Sequence, residues 1–171
     1  DWLSSRGLGD VYKRQLPQVC EPIGEIDHHL ESLSGAEGDP THLYHSGLKV
    51  LQSVLERVGA GLSPLNDELC MIAHRVMAGP VSRLESVLGL LAGSLGREHA
   101  SSLHMARALS QSTLSDDSRA EVMTMHHLGL MAIASEDPLR ASFLFEKAAE
   151  QSSFSNKTRP VSYTHLTLPT I

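Results

Sequence analysis

Aromatic residues and long apolar runs are both scarce in this chain, and each shortage excludes a class of structure. Aromatics make up 4% of the 171 residues. Strands favour aromatic and β-branched side chains, so a sequence rich in Leu, Ala, Ser and Met favours helices instead. The longest apolar run, residues 87–95, is interrupted by Gly89, Gly93 and Ser94, whereas a membrane-spanning helix needs about 20 apolar residues. We therefore expect an all-α protein with no membrane span in this chain.

Cysteine and positive charge are also in short supply. The two cysteines, Cys20 and Cys70, have no CxxC spacing, which argues against a disulfide framework or a zinc site. Cys70 lies in an apolar helical stretch, where a buried reduced thiol is usual. Lys and Arg number 14 against 20 Asp and Glu, and the net charge of -6 repels the phosphates of a nucleic acid. We expect a soluble protein, favour the cytoplasm as its compartment and expect no nucleic-acid partner.

The sequence also lacks the common motifs of catalytic and cofactor sites. GxSxG, GxxxxGK[ST] and HExxH are all absent. The Gly-Ser-Leu-Gly at 93–96 fits neither a nucleophile elbow nor a phosphate-binding loop, and it predicts the end of a helix followed by a turn. We therefore expect no enzymatic activity and no cofactor.

The two ends differ in composition from the middle of the chain. The only Trp and two of the three Tyr lie in 1–15 and 160–171, which contain the strings GLGDVYKRQ and VSYTHLTLPT. These strings resemble peptides that arise when sequencing-adapter DNA is translated in metagenomic assemblies. The resemblance implies that 1–15 is non-native and that 155–171 is a non-native or disordered tail. The predicted native part is an irregular lead-in with a short helix at 16–40, followed by a helical domain at 41–154.

An internal repeat organises the helical domain. When the chain is aligned with itself so that residue 88 falls on residue 128, the Leu-Gly-Leu at 88–90 matches the Leu-Gly-Leu at 128–130. In the same alignment the Gln-Ser at 111–112 falls on the Gln-Ser at 151–152. Self-similarity at a fixed period of this length is typical of stacked supersecondary units.

Turn and cap residues predict where the helices of the second copy begin and end. The Ser-Asp-Asp-Ser at 115–118 supplies N-cap chemistry for one helix. The turn at 135–138 ends that helix and begins another, with Asp137 suited to the N-cap and Pro138 to the first helical position.

Upstream, the same signals predict more helices. Apolar periodicity predicts helices over 43–58 and 65–77, separated by the Gly- and Pro-containing break at 59–64. Pro80 is expected to open the next helix. The stretch 35–40 is expected to be a loop, and a short helix is expected over residues 23–33.

The spacing of small and apolar residues in the two copies resembles the tetratricopeptide repeat. That pattern has Leu-Gly early in the first helix, a small residue twelve positions after the Gly, an aromatic at sixteen and Ala at nineteen. The second copy has Leu128, Gly129, Ala141, Phe145 and Ala148. The first copy fits less well, with Leu88, Gly89, Ser101, Met105 and Ala108. The LG-x-E-H at 95–99 also resembles the turn between helices in kinesin-light-chain-type repeats. Departures are Ala92 and Ala132 at an aromatic position, Met125 at the Trp position and the absence of the closing Pro.

The resemblance implies antiparallel helical hairpins stacked as an α-solenoid, with one concave face for partners. It also implies the function of a protein–protein interaction scaffold, so the expected partner is a protein or peptide. By analogy with the repeat, the partner-binding face comprises Leu84, Leu91, His126, His127 and Met131.

Two alternatives depend on histidine. His74 lies in a stretch that faintly resembles the histidine motif of phosphotransfer bundles, although the Lys-Gly expected soon after the histidine is missing. A metal-binding helical bundle would instead need His28 or His29 to converge with His42 and His45. His42 and His45 are three residues apart, which places them on one helix face.

Overall fold

The computed structural model of this chain describes residues 17–33, 38–62, 67–115 and 117–155. Within these ranges the chain forms helices and turns and contains no strand, which confirms the expected all-α class for that part. The six helices are α1 (Pro17–Leu33), α2 (Pro40–Leu62), α3 (Asp67–Ser94), α4 (Glu98–Leu114), α5 (Ser118–Ala134) and α6 (Pro138–Ser155). None of these helices is both long enough and apolar enough to cross a membrane.

The adapter-like ends fall outside the part of the chain that the structure describes. That part begins at residue 17 and stops at residue 155, so the assignments of 1–15 and 160–171 stay predictions. The short helix predicted over 23–33 is present and begins earlier, at Pro17. The predicted helix over 43–58 is present too, and it runs on to Leu62.

Helix α3 lies at the centre of the fold. It contacts α1, α2, α4 and α5, whereas α6 contacts only α5 among the described helices. Each odd-numbered helix also contacts the even-numbered helix that follows it. Apolar side chains from α1, α2 and α3 form the main hydrophobic core, which includes the fully buried Ile26, Val54, Leu84 and Leu88. Burial of such side chains is the chief stabilising contribution to a helical fold of this size.

The predicted helix start at Pro80 is wrong, because α3 is a single helix of 28 residues that passes through Pro80. A proline inside a helix removes one backbone hydrogen bond and costs about 3 kcal/mol. Here residues 76–82 are all buried. The packing of this enclosed segment offsets the local cost, as tertiary contacts commonly override helix propensity.

The turn between α3 and α4 has the hydrogen bonds of a Schellman motif. Gly96 has a φ of 70°, in the left-handed region that favours glycine. Its N–H donates to the carbonyl of Gly93 at 3.0 Å, and the N–H of Arg97 donates to the carbonyl of Ala92 at 2.9 Å. These bonds satisfy carbonyls that the end of α3 would otherwise leave without partners.

The turn between α5 and α6 has the same hydrogen bonds at the equivalent positions of the second copy. Glu136 has a φ of 56°, and its N–H donates to the carbonyl of Ile133 at 3.0 Å. The N–H of Asp137 donates to the carbonyl of Ala132 at 2.9 Å. The two turns therefore match in hydrogen bonding and in backbone hand, although a glutamate stands where the first turn has a glycine.

Both predicted N-caps are confirmed. The carboxylate of Asp117 accepts from the backbone N–H of Arg119 at 3.0 Å and caps α5. The carboxylate of Asp137 accepts from the N–H of Arg140 at 3.0 Å and caps α6. Each cap gives a partner to a backbone N–H that the first turn of a helix cannot satisfy.

Candidate functional site

Two glycines allow consecutive helices to approach closely. A Cβ on Gly129 would lie 2.6 Å from Cε1 of Phe145, and one on Gly89 would lie 2.8 Å from Cε of Met105. Both distances are shorter than a normal contact, so the large side chain of the even-numbered helix fills the space over each glycine. The two glycine pairs occupy equivalent positions in the two copies, as the sequence repeat predicts.

The other residues of the repeat signature mostly lie in the packed interior. Leu88, Ala108, Ala141 and Ala148 are buried, whereas Leu128 is half-buried. Ser101, at the small-residue position of the first copy, donates its hydroxyl hydrogen bond to the carbonyl of Gly89 at 2.7 Å. A serine at this position therefore ties α4 to α3 where the second copy has an alanine.

The five residues expected on the partner-binding face differ in accessibility. Leu84 is 0% exposed and His127 is 5% exposed, so neither side chain offers a surface to a partner. Both point into contacts between helices because they lie on the buried stripe of α3 and α5. Leu91 and Met131 are half-buried, and His126 is exposed.

His127 forms a polar contact between α5 and α3. Its Nδ1 lies 3.0 Å from Oγ of Ser86. The Ser86 hydroxyl donates to the carbonyl of Arg83 at 2.8 Å, so the Nδ1–H of His127 donates to Ser86 Oγ. Burial, with a smaller effect of His126, lowers the pKa of His127 to about 3. The ring is therefore neutral at physiological pH.

Two buried hydroxyls form a second polar contact among α3, α4 and α5. The hydroxyl of Ser82 donates to the carbonyl of Ala108 at 2.7 Å. Thr124 Oγ1 lies 3.2 Å from Ser82 Oγ, and since the single hydrogen of Ser82 is already used, Thr124 is the donor. Both side chains are fully buried. These bonds fix the rotational setting of α5 against the α3–α4 pair.

A buried chain of three titratable side chains was not anticipated from the sequence. His104 Nδ1 lies 2.5 Å from Oε2 of Glu85, and His104 Nε2 lies 3.1 Å from the hydroxyl oxygen of Tyr44. Glu85, His104 and Tyr44 are each at most 5% exposed. They belong to α3, α4 and α2, so the chain of contacts connects three helices. Their sequence separations of 19 and 60 residues fit no local motif that would have predicted it.

Two arginines border this buried chain. The guanidinium carbon of Arg97 lies 5.2 Å from the centroid of the Tyr44 ring, and Arg107 Nη1 lies 3.9 Å from Oε1 of Glu85. A buried carboxylate such as that of Glu85 needs a partner like Arg107 because desolvation of a charge is costly. The arrangement therefore provides a polar connection between helices, enclosed by the fold.

Arg83 connects two further acidic residues. Its Nη2 lies 2.7 Å from Oδ1 of Asp27 on α1, and its Nε lies 3.6 Å from Oδ2 of Asp117, the N-cap of α5. Burial raises the pKa of Asp27, while Arg83 opposes that shift. The guanidinium therefore bridges α1 and α5 across α3.

The histidines of the two alternative functions are not brought into a ligand set. Among the described residues, no group of three or more His, Cys, Asp or Glu side chains is placed to hold a metal ion. His28, His42 and His45 are exposed, and His29 is half-buried. His74 is exposed on the first half of α3. Phosphotransfer through His74 stays a hypothesis.

Exposed apolar side chains lie on several helices, and three of them belong to α5 and α6. Leu139 is 84% exposed, Phe143 57% and Ile133 56%. His126 adds a ring whose centroid lies 5.4 Å from that of Phe145. Exposed apolar side chains are a feature of surfaces that bind partners where they form a contiguous patch.

No protein-family model, curated protein or solved structure matches the chain.

Proposed function

We propose that this chain is a protein–protein interaction scaffold, made of TPR-like helical hairpins stacked as an α-solenoid. The single observation that carries the proposal is the agreement between the two turns, whose hydrogen bonds match at equivalent positions of the two copies. The close pairs of Gly89 with Met105 and Gly129 with Phe145 agree at the same period. Matching backbone and side-chain packing at one period favours a structural repeat over a chance likeness of sequence.

The contacts between helices support stacking of the hairpins. The pairs α1–α2, α3–α4 and α5–α6 are each in contact, α3 contacts α1 and α5, and the even helices α2 and α4 contact the odd helix that follows them. This is the nearest-neighbour pattern of a solenoid, in which each unit packs only on its neighbours.

The proposed binding surface comprises Leu91 and His126 together with the exposed Ile133. Leu84, His127 and Met131, which were expected to contribute, are assigned to the packing between helices instead. The surface is apolar with one imidazole, so the proposed ligand is a peptide or protein segment with apolar side chains. Apolar contacts at such a surface would provide most of the affinity.

Selection of peptides from a random display library on the full chain would test the proposal. Selected peptides should bind in solution with micromolar dissociation constants, and Ile133→Glu should weaken binding about tenfold or more, which is about 1.4 kcal/mol. Leu55→Glu is the matched control, since Leu55 is an exposed leucine on α2. Failure to recover any binding peptide, or equal binding by both variants, would overturn the proposed function.

A further inference from the structure

Helix α5 packs on the α3–α4 pair through three side chains on one of its faces. Thr124 contacts Ser82 at 3.2 Å and His127 contacts Ser86 at 3.0 Å. Met131 Sδ lies 3.6 Å from Oγ of Ser101. The three α5 residues have i, i+3 and i+7 spacing, which places them on one side of the helix. Each meets a serine, so the interface sets larger side chains against small ones.

The α5–α6 pair has a face equivalent to the one that α5 covers on the α3–α4 pair. No helix of the described residues covers that equivalent face. Ser82 and Ser86 are both 0% exposed. Their counterparts in the second copy are Val122, which is half-buried, and His126, which is exposed. Met105 is 3% exposed, whereas its counterpart Phe145 is half-buried.

Chemistry also differs between the covered face and the open one. Val122 and Ala141 replace two hydroxyls by methyl groups, so the open face has no hydroxyl at those two positions. His126 replaces Ser86 by a ring that packs at 5.4 Å from the Phe145 ring. A helix lying here as α5 lies on α3–α4 needs an apolar residue over Val122, whereas Ala141 is only 3% exposed and is already enclosed within the α5–α6 pair. Over His126 it needs a small residue, because the His126 ring is much larger than Ser86, which faces His127 at the preceding interface.

We infer that this open face, formed by Val122, His126 and Phe145, binds an amphipathic helix of a partner protein in the pose that α5 takes on α3–α4. The recognised pattern is an apolar residue at i and a small residue at i+3. The inference rests on the proposed scaffold function. It names the class of partner for the part of the proposed binding surface that contains His126. Helix-in-groove binding of this kind reuses the packing rules of the fold itself.

A second copy of this chain fits the face less well than such a helix. Docking in the same pose would place α1 of the second copy against Val122 and Phe145. The exposed side of α1 includes Glu21, Glu25 and His28. Desolvation of these polar groups against apolar side chains would be unfavourable.

A synthetic peptide based on α5 provides the probe. It comprises residues 115–135 with Thr124→Val and His127→Ala, keeps Met131 and carries a fluorescent label. Titration of the full chain, followed by fluorescence anisotropy, should give binding about tenfold tighter than that of the unmodified 115–135 peptide. A peptide that displaced the chain's own α5 would instead bind more tightly in its unmodified form. The order of the two affinities therefore distinguishes binding to the open face from displacement of α5.

Variants of the face then test its identity. Val122→Glu should reduce binding of the modified peptide at least tenfold, while Leu55→Glu on α2 leaves it unchanged. His126→Ser makes the open face resemble the covered one and should reverse the preference, so that the unmodified peptide, with its imidazole, becomes the tighter ligand. A specificity reversal would not follow from general loss of stability.

Three results would overturn the inference. The modified peptide could fail to bind, its preference could survive His126→Ser, or sedimentation could show a dimer that Val122→Glu dissociates, in which case a second copy occupies the face. If the peptide fails while display-selected peptides still bind in an Ile133-dependent manner, this inference falls and the scaffold function stands. If neither class of ligand binds, both fall.

Discussion

Glu136 takes up the left-handed backbone conformation that Gly96 takes up at the equivalent position of the first copy. The φ angles are 56° and 70°, and both N–H groups donate to the carbonyl three residues before them. The left-handed region costs a residue with a Cβ about 1–2 kcal/mol. Glycine avoids that cost, so the backbone of the α5–α6 turn is strained where that of the α3–α4 turn is not.

Substitution of Glu136 by glycine should therefore stabilise the protein. We expect Glu136→Gly to raise the free energy of unfolding by about 0.5–1 kcal/mol, because relief of strain exceeds the added entropy of the unfolded chain. Gly96→Ala should lower it by about 1 kcal/mol. Urea denaturation measures both. Glu136→Ala serves as the control for loss of the side chain and should be nearly neutral; a stabilisation equal to that of the glycine variant would contradict the backbone explanation.

Gly129 should not tolerate even a methyl group while Phe145 is present. A Cβ at Gly129 would lie 2.6 Å from the Phe145 ring, and overpacking of this kind costs about 1–3 kcal/mol. We expect Gly129→Ala to destabilise the chain despite the better helix propensity of alanine. In a Phe145→Ala background the same substitution should become stabilising, by up to about 1 kcal/mol.

A double-mutant cycle measured by urea denaturation separates these two terms. Gly24→Ala on α1 is the matched control, since a Cβ there meets nothing within 4 Å, and it should stabilise by about 0.5–1 kcal/mol. Additive effects of Gly129→Ala and Phe145→Ala would show that the two residues do not pack together.

Local signals predicted the second half of the chain well. Asp117 and Asp137 cap their helices through bonds that span two or three residues, so a short stretch of sequence contains the whole interaction. The Gly129–Phe145 contact lies within one hairpin, at two positions that the repeat pattern had singled out. At Pro80 the local rule failed, because the burial that maintains the helix there depends on distant parts of the chain. The contacts among Glu85, His104 and Tyr44 likewise join residues that share no local pattern.

The neutral state of His127 should make stability depend on pH. Burial lowers its pKa to about 3 in the folded chain, against an ordinary value of about 6.5. As the pH falls below 6.5, the unfolded chain takes up a proton that the folded chain excludes, so stability is lost between pH 6.5 and pH 3. We expect a loss of about 2 kcal/mol from this group between pH 7.5 and pH 5.

Comparison of pH profiles isolates this contribution. His127→Asn removes the titrating ring and keeps an N–H that can donate to Ser86 Oγ. The variant should be less stable than the parent at pH 7.5 but should lose about 2 kcal/mol less on going to pH 5. His126→Asn is the control. Partial burial lowers the pKa of His126 as well, but its ring is exposed, so the loss of His126 should change the pH profile less than the loss of His127. Parallel profiles for the parent and His127→Asn would contradict the assignment of a neutral buried ring.

Replacement of one partner of the Glu85–His104 contact should destabilise the protein strongly, whereas apolar replacement of both partners should cost little. His104→Leu removes the closest polar partner of the 3%-exposed Glu85 and leaves it with Arg107, at 3.9 Å. Loss of one partner from a buried pair typically costs about 3–5 kcal/mol, whereas apolar replacement of both partners is often neutral. We expect His104→Leu to destabilise by an amount in that range and Glu85→Leu/His104→Leu to recover most of it.

Tyr44→Phe supplies a milder comparison, since it removes only the hydrogen bond between the Tyr44 hydroxyl and His104 and should cost about 0.5–1.5 kcal/mol. Urea denaturation at pH 7 of the parent, Glu85→Leu, His104→Leu and the double variant gives the coupling energy between Glu85 and His104. A double variant no more stable than His104→Leu would mean that volume, rather than the unpaired carboxylate, sets the cost. In that case the three side chains would stabilise the contact of α2, α3 and α4 as packing groups rather than through their polar interactions.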